Sequence, residues 1–523
     1  MKYDWLESAV FYEVYPTSFY DSNGDGVGDI AGIIQKLDYI KELGANGIWL
    51  NPCFESPFGD GGYDVSDYCK VDGRFGTNAD MEELFAEAKK RGIKIILDLV
   101  MGHTSITHPW FRASQKDEKN QYTDAYIWKD FSNPAEIRDG QFLGGMSERE
   151  GMFRVNYYAI QPALNYGYLK PKARWQQAMD AEAPMKNRQR LIDVCKFWLG
   201  MGASGFRVDM ANYMVKDDPK REGNIAFWND VIPKIKQEYP ESIFVSEWFN
   251  SRQSVKKSAF DIDFTGGYFL YSVWPGNDPA ERENFSKNAY LGENAKRFFS
   301  GIVQIYSAAK NVKSKGYQAI TLGNHDRERA SLGRSFDQLK AAFAFHLTMP
   351  HVPFIYYGDE VGMSYNTTVK SKDGGYKRTG SRTPMQWSNQ KNRGFSAAEP
   401  SALYLPTESD PARCVEAQAG ADGSLYETVK KLVALRRKLR SLRADGGFKL
   451  LSLNVSGLPF IYKRVSDADE TVVILYPKKQ AASFSVKKLG DLSRYDIISN
   501  NIEFKDGKAM VSGEAFAVLY RVF

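Results

Sequence analysis

The chain has 523 residues, room for a large core and about three ordinary domains, or one barrel-sized domain with additions. A net charge of +5 on a chain that is 25% charged makes no field to draw it to nucleic acid or a membrane, and 43% hydrophobic residues exclude disorder. The 30 Tyr, 32 Phe and 10 Trp are chiefly core, with stacking walls for sugars or bases as their other use.

Short apolar runs alternate with helical periods from the start. Ala9–Tyr15 reads as a strand, followed by helix-spaced Ile33, Ile34, Leu37, Ile40 and Leu43. Gly47–Leu50, a helix near 80–91 and Ile93–Leu99 continue the βαβα order, which implies a parallel sheet covered by helices. Residues from about 104 to 170 are turn-rich and aromatic and read as a long insertion after the third strand. The alternation resumes with a helix near 187–201 and strands at Gly205–Asp209, Ile243–Glu247, Ala259–Phe264, Ala319–Leu322 and Pro353–Tyr357. Eight strands close a (β/α)8 barrel. Beyond about 445 the segments are short and alternating, as in an antiparallel β-domain. The expected organisation is barrel at 1–103, inserted domain at 104–170, barrel again at 171–440 and a C-terminal β-domain at 441–523.

Cys53, Cys69, Cys195 and Cys414 show no zinc spacing and no disulfide framework. No secretory leader pattern opens the sequence and no run of 18 apolar residues occurs, so a cytoplasmic protein without a membrane partner is expected.

Barrels of this kind do chemistry at the C-terminal ends of their strands, so polar residues ending apolar runs are the candidates. Four runs end that way, giving Asp98 with His103, Arg207 with Asp209, Glu247, and His325 with Asp326. Carboxylates without a reactive thiol, a Ser-His pair or a metal triad suit glycoside hydrolysis, where one is ionised and the other protonated. Arg207, two residues before Asp209, lies on the same strand face and holds that aspartate ionised. His108, His346 and His351 are taken as structural.

Together Asp98–His103, Gly205–Asp209, Val245–Trp248 and Gly323–Arg327 resemble, in order, the α-amylase superfamily, glycoside hydrolase family 13. The resemblance implies Asp209 as nucleophile, Glu247 as general acid/base, Asp326 as the stabiliser that binds two glucose hydroxyls, and retention of configuration. It further implies His103, Arg207 and His325 as sugar or carboxylate contacts and Tyr63 as an aromatic platform. Asp60–Tyr68, Gln161–Asn165 and Arg382–Trp387 are similar to the α-glucosidase and oligo-1,6-glucosidase branch, with trehalose synthases as neighbours. In that branch the residue at Asp60, paired here with Arg382, closes the pocket around a non-reducing glucose. Ala163 stands where the branch usually has Asp, and Met210 follows the nucleophile, so α-1,4 and α-1,6 preference stay open. Gly102 replaces the Asn that ligates calcium in α-amylases, so no calcium is expected there.

A different calcium site is expected at Asp21-Ser22-Asn23-Gly24-Asp25-Gly26-Val27-Gly28-Asp29, where oxygens alternate and Gly26 permits the sharp turn. Its twelfth position is Gly32, not Glu, and it joins a strand to a helix, which disfavours a regulatory EF-hand. Similar loops in α-glucosidases hold a structural Ca2+ through residues matching Asp21, Asn23, Asp25, Asp29 and the Val27 carbonyl. No organic cofactor is expected, and a monomer is the expected state. The functional expectation is a retaining α-glucosidase on short α-gluco-oligosaccharides. The alternatives are a trehalose synthase-like isomerase or transglucosylase and, in another class, a silent barrel used as a scaffold.

Overall fold

Eight parallel strands close on themselves in the computed structural model of the protein, which describes residues 3–130, 141–145, 147–264, 310, 312, 315–452, 459–476 and 478–523. They are β1 Phe11–Val14, β2 Gly47–Leu50, β3 Lys94–Leu99, β4 Gly205–Val208, β5 Ile243–Ser246, β6 Ile262–Phe264, β7 Tyr317–Thr321 and β8 Val352–Tyr356. Each pairs with its neighbours in sequence, and β8 returns to β1 with Phe11 opposite Phe354. These strands correspond to the eight apolar runs, because a strand buried on both faces is apolar along most of its length. Parts of the expected insertion and of the second barrel segment fall outside the described residues.

Alternation along each strand sorts the side chains. Phe11, Trp49, Ile96, Val245, Phe264 and Phe354 form a cluster of their own inside the barrel, where the Phe11 and Phe354 rings stack at 4.5 Å. Tyr12, Ile48, Ile95, Leu97, Phe206 and Phe244 instead join the larger core shared with the helices. Two residues further along the inward face come Glu13 after Phe11, Asp98 after Ile96 and Glu247 after Val245. The barrel floor is therefore apolar and its upper end charged. Gly205 precedes Arg207 on that face at φ +150, and an added Cβ would come within 2.0 Å of the Ile243 carbonyl oxygen, so β4 and β5 approach closely only with glycine there.

Thr77 and Asp80 form a capping box that starts the helix Asn78–Lys90, and Ser335 and Gln338 do the same for Phe336–Thr348. Helices Glu182–Met201 and Glu222–Glu238 flank β4 in the chain. Between β3 and β4, the strands Trp128–Lys129, Phe142–Gly144 and Met152–Arg154 form a small antiparallel sheet over Ile127, Ala163 and Tyr168.

A six-stranded antiparallel sheet occupies 447–522. Two buried arginines, Arg436 on the preceding helix Leu425–Lys438 and Arg464 in the sheet, converge on the barrel helix Phe336–Thr348, and Arg464 ties the sheet to it. Arg436 donates to the carbonyls of Leu347 and Met349 at 3.0 and 3.2 Å, and Arg464 to that of Thr348. Both thereby satisfy carbonyls left free at the end of the helix Phe336–Thr348.

Candidate active site

The charged upper ends of the strands surround a cavity of about 500 Å3, within the range that accepts a small ligand. Asp60, Tyr63, His103, Asp209, Glu247 and Asp326 line it together. Arg207, His325 and Arg382 are buried behind these residues and hold them. The Asp21–Asp29 loop does not line this cavity.

Arg207 is the hub. Its Nη1 lies 2.7 Å from Asp98 Oδ1 and 3.0 Å from Asp209 Oδ1, and its Nη2 lies 2.9 Å from Glu247 Oε2. The other Asp98 oxygen accepts from Trp49 Nε1 and Tyr63 Oη, both at 3.0 Å. Burial works against the Arg207 charge, but Asp98, Glu247 and Asp209 outweigh it and hold the guanidinium protonated. The expectation that Arg207 holds Asp209 ionised is corrected: burial and the adjacent Glu247 carboxylate push the Asp209 carboxyl well above the ordinary range, and Arg207 only opposes that shift. The Met210 N–H donates to Glu247 Oε2 at 3.0 Å, so the residue after one carboxylate orients the other.

On the opposite wall, His325 Nδ1 is 2.6 Å from Glu13 Oε1, while Nε2 is 2.7 Å from Tyr63 Oη and 3.3 Å from Asp326 Oδ2. Burial would strip the proton from this imidazole, but Asp326 and Glu13 together raise it to about 9. Conversely, burial would raise Asp326, and His325, Arg382 and Arg378 hold it well below the usual carboxylate range. One carboxyl of the cavity is thus firmly anionic while another resists ionisation. The Tyr63 and His325 rings are nearly parallel at 5.4 Å, so the expected platform ring is backed by an imidazolium.

The expected pairing of Asp60 with Arg382 is corrected. Asp60 Oδ1 meets Arg378 Nη2 at 2.7 Å, and Asp60 Oδ2 accepts from Gln161 Nε2 at 2.8 Å. Arg382 instead reaches Asp326 Oδ1 at 3.2 Å and the His325 carbonyl at 2.9 Å. Both arginines lie on one 3-10 segment and its cap, four residues apart, and Arg378 alone extends far enough to bridge Asp60 and, at 3.1 Å, Asp326. Burial pulls His103 down to about 4, so its ring is neutral near pH 7.

Sequence reasoning missed Arg378, Glu13 and Trp49. Glu13 carried a findable signal, a lone carboxylate inside the apolar run of β1.

In the Asp21 loop, Asp21 Oδ1 accepts from the N–H groups of Asn23 and Gly24 at 3.2 and 2.7 Å, Asn23 Oδ1 from Asp25 N at 2.9 Å and Asp25 Oδ1 from Val27 N at 2.8 Å. Asp29 caps the helix Ile30–Gln35. Among the described residues no three acidic, His or Cys side chains converge as a metal cluster. The donors here also include an amide and a carbonyl, the hard oxygen set that suits calcium.

Comparison with known proteins places this geometry. The chain is 31% identical over 525 residues to trehalose synthase/amylase TreS of Mycobacterium tuberculosis, covering 90% of this chain and 81% of that protein. It is 31% identical to an oligo-1,6-glucosidase of Parageobacillus thermoglucosidasius, covering 90% of each. A glucan 1,6-alpha-glucosidase of Streptococcus pneumoniae is 32% identical, covering 91% of each. Among solved structures, trehalulose synthase MutB of Pseudomonas mesoacidophila superposes with TM-score 0.79 at 24% identity over 100% of both chains, a likeness of fold. Residues 13–445 match the alpha amylase catalytic domain. A barrel whose strand ends gather three carboxylates about one buried arginine, with that match over most of its length, belongs to the α-amylase family of glycoside hydrolases.

Proposed function

We propose that the protein is a retaining α-glucosidase that removes glucose from the non-reducing end of short α-gluco-oligosaccharides. The observation that carries this reading is the single guanidinium of Arg207 held at 3.0 Å from Asp209 and 2.9 Å from Glu247 at one cavity. In the double displacement, an Asp209 carboxylate oxygen bonds the anomeric carbon while Glu247 gives its proton to the departing glycosidic oxygen. Glu247 then takes a proton from water, whose oxygen displaces Asp209. Burial and the neighbouring Glu247 push the Asp209 carboxyl up, and Arg207, 3.0 Å from Asp209 and 2.9 Å from Glu247, opposes that shift where the nucleophile must be anionic. Asp326, kept anionic by His325, Arg378 and Arg382, is suited to bind two hydroxyls of the reacting glucose. Tyr63 and His103 contact the same ring. The Asp60–Arg378 pair stands across the cavity and favours action at a chain end.

Two results test this reading. Asp209→Ala abolishes glucoside turnover; undiminished turnover would overturn the assignment. Incubation with maltose, isomaltose, sucrose and trehalose yields free glucose. The likeness to trehalose synthase/amylase favours a second reading, a trehalose synthase-like isomerase or transglucosylase in which a sugar, not water, accepts the glucosyl unit. A rearranged disaccharide as main product decides for it. Asp21, Asn23, Asp25, Asp29 and the Val27 carbonyl are proposed to hold a structural Ca2+ that takes no part in either step.

A further inference from the structure

Two buried aspartates, Asp261 and Asp263, lie on one face of the chain at β6. Ile262 and Phe264 point into the barrel, so both aspartates face the helix layer behind its wall. Asp261 has an ordinary reason to be there, since both its oxygens lie 2.8 Å from Lys236 Nζ. Asp263 is fully buried, and among the described residues no cation pairs with it. Donors surround it instead. Its Oδ1 accepts from Ser246 Oγ at 2.6 Å and from the Trp248 N–H at 3.2 Å. Burial pushes this carboxyl up to about 7, against Ser246, Ser254 and the N–H groups of Trp248 and Asn250. A carboxylate without a counter-ion costs more at such a position than an apolar side chain, so it needs another reason for being there.

Ser246 and Trp248 stand on either side of Glu247. β5 ends at Ser246, and beyond it the Glu247 N–H donates to the Val208 carbonyl at 3.0 Å, on the β4 side. On the β6 side the pairing stops with Ser246 opposite Asp263, and there the aspartate side chain takes up the Trp248 N–H. The Glu247 head group is held separately, by Arg207 Nη2 at 2.9 Å and the Met210 N–H at 3.0 Å, both on Oε2. All of those contacts come from β4 and the turn after it. Asp263 supplies the support from the other neighbouring strand, and it holds main chain rather than head group. An acid displaced by about 1 Å from the oxygen it must protonate loses much of its effect.

We propose that Asp263 is a positioning residue for Glu247, its Oδ1 clamping the residues before and after the acid/base and so fixing where the Glu247 side chain leaves the end of β5. The effect on turnover rests on the α-glucosidase reading; the clamp itself does not.

Kinetics on two substrates of the full chain test it. Maltose needs Glu247 to protonate the departing oxygen, whereas fluoride leaves α-glucosyl fluoride without that help, and kcat/KM reports this bond-breaking step for both. In Asp263→Ala, kcat/KM falls about 100-fold for maltose and stays within about threefold for the fluoride. Asp263→Asn, which keeps an acceptor for Ser246 and Trp248, recovers most of the loss. Equal falls on the two substrates, or an undiminished rate on maltose, overturn the proposal. Hydrogen–deuterium exchange across residues 246–249 gives a readout independent of activity. The Trp248 amide exchanges about tenfold faster or more in Asp263→Ala than in the native protein, and unchanged exchange overturns the clamp. Should Asp263→Ala not fold, Ser246→Ala removes one of the two bonds and gives a smaller difference of the same sign, and equal falls on both substrates count against the proposal. A native protein that consumes neither substrate sinks the activity reading, and the exchange result then decides the clamp by itself.

Discussion

Replacing His325 with Gln removes a titrating group from the most densely charged wall of the cavity. His325 is fully buried between Glu13 Oε1 at 2.6 Å and Asp326 Oδ2 at 3.3 Å, and these carboxylates raise it from 6.5 to about 9 against the effect of burial. That gap corresponds to about 3 kcal/mol of folding free energy. Because the folded value lies above the unfolded one, the stabilisation is complete below pH about 6.5 and is lost as pH rises through about 9. Denaturant unfolding measured between pH 6 and 9.5 reads it directly. The native protein loses about 3 kcal/mol more than His325→Gln across that window. The variant starts less stable, because Glu13 has lost its cation and Asp326 one of its three, but its profile is flatter. Parallel losses in the two proteins would refute the claim that the imidazolium carries the stabilisation.

The arginine exchange makes two substitutions separable. Arg378→Met leaves Asp60 with Gln161 alone and, since Arg378 is partly exposed, costs about 1–3 kcal/mol, read as a 10- to 100-fold fall in kcat/KM through KM; an unchanged KM would contradict the bridge. Arg382→Met removes a buried guanidinium from the His325 carbonyl and Asp326, so unfolding measurements show a loss of about 3 kcal/mol or more, and a Tm equal to the native value would count against it. Prolonged chelation lowers Tm and added calcium restores it; a Tm indifferent to both removes calcium from the Asp21 loop. Thr77→Ala costs about 1 kcal/mol by deleting the cap of the helix Asn78–Lys90, with activity at 25 °C unchanged.

All eight barrel strands were legible because parallel strands buried on both faces leave near-continuous apolar runs, as in Ile243–Val245. Asp98, Arg207 and Glu247 were legible as polar residues ending such runs. The insertion could be recognised as a break in rhythm, but its sheet could not, since strands of two or three residues such as Trp128–Lys129 carry no period. Asp60 was found and its partner mistaken. Arg378 and Arg382 are equivalent in composition, and only the path of the 3-10 segment decides which reaches across.

The bridge from Asp60 to Arg378 joins residues 318 apart in sequence. At roughly 5–20 residues per second of synthesis, the acid leaves the ribosome tens of seconds before its cation exists. β1 likewise waits for β8 before the ring can close. Hydrolytic competence therefore cannot arise before β8 and Arg378 have both been made. In refolding, regained turnover marks the closing of the ring and the seating of the late segment, a later event than the recovery of helical signal.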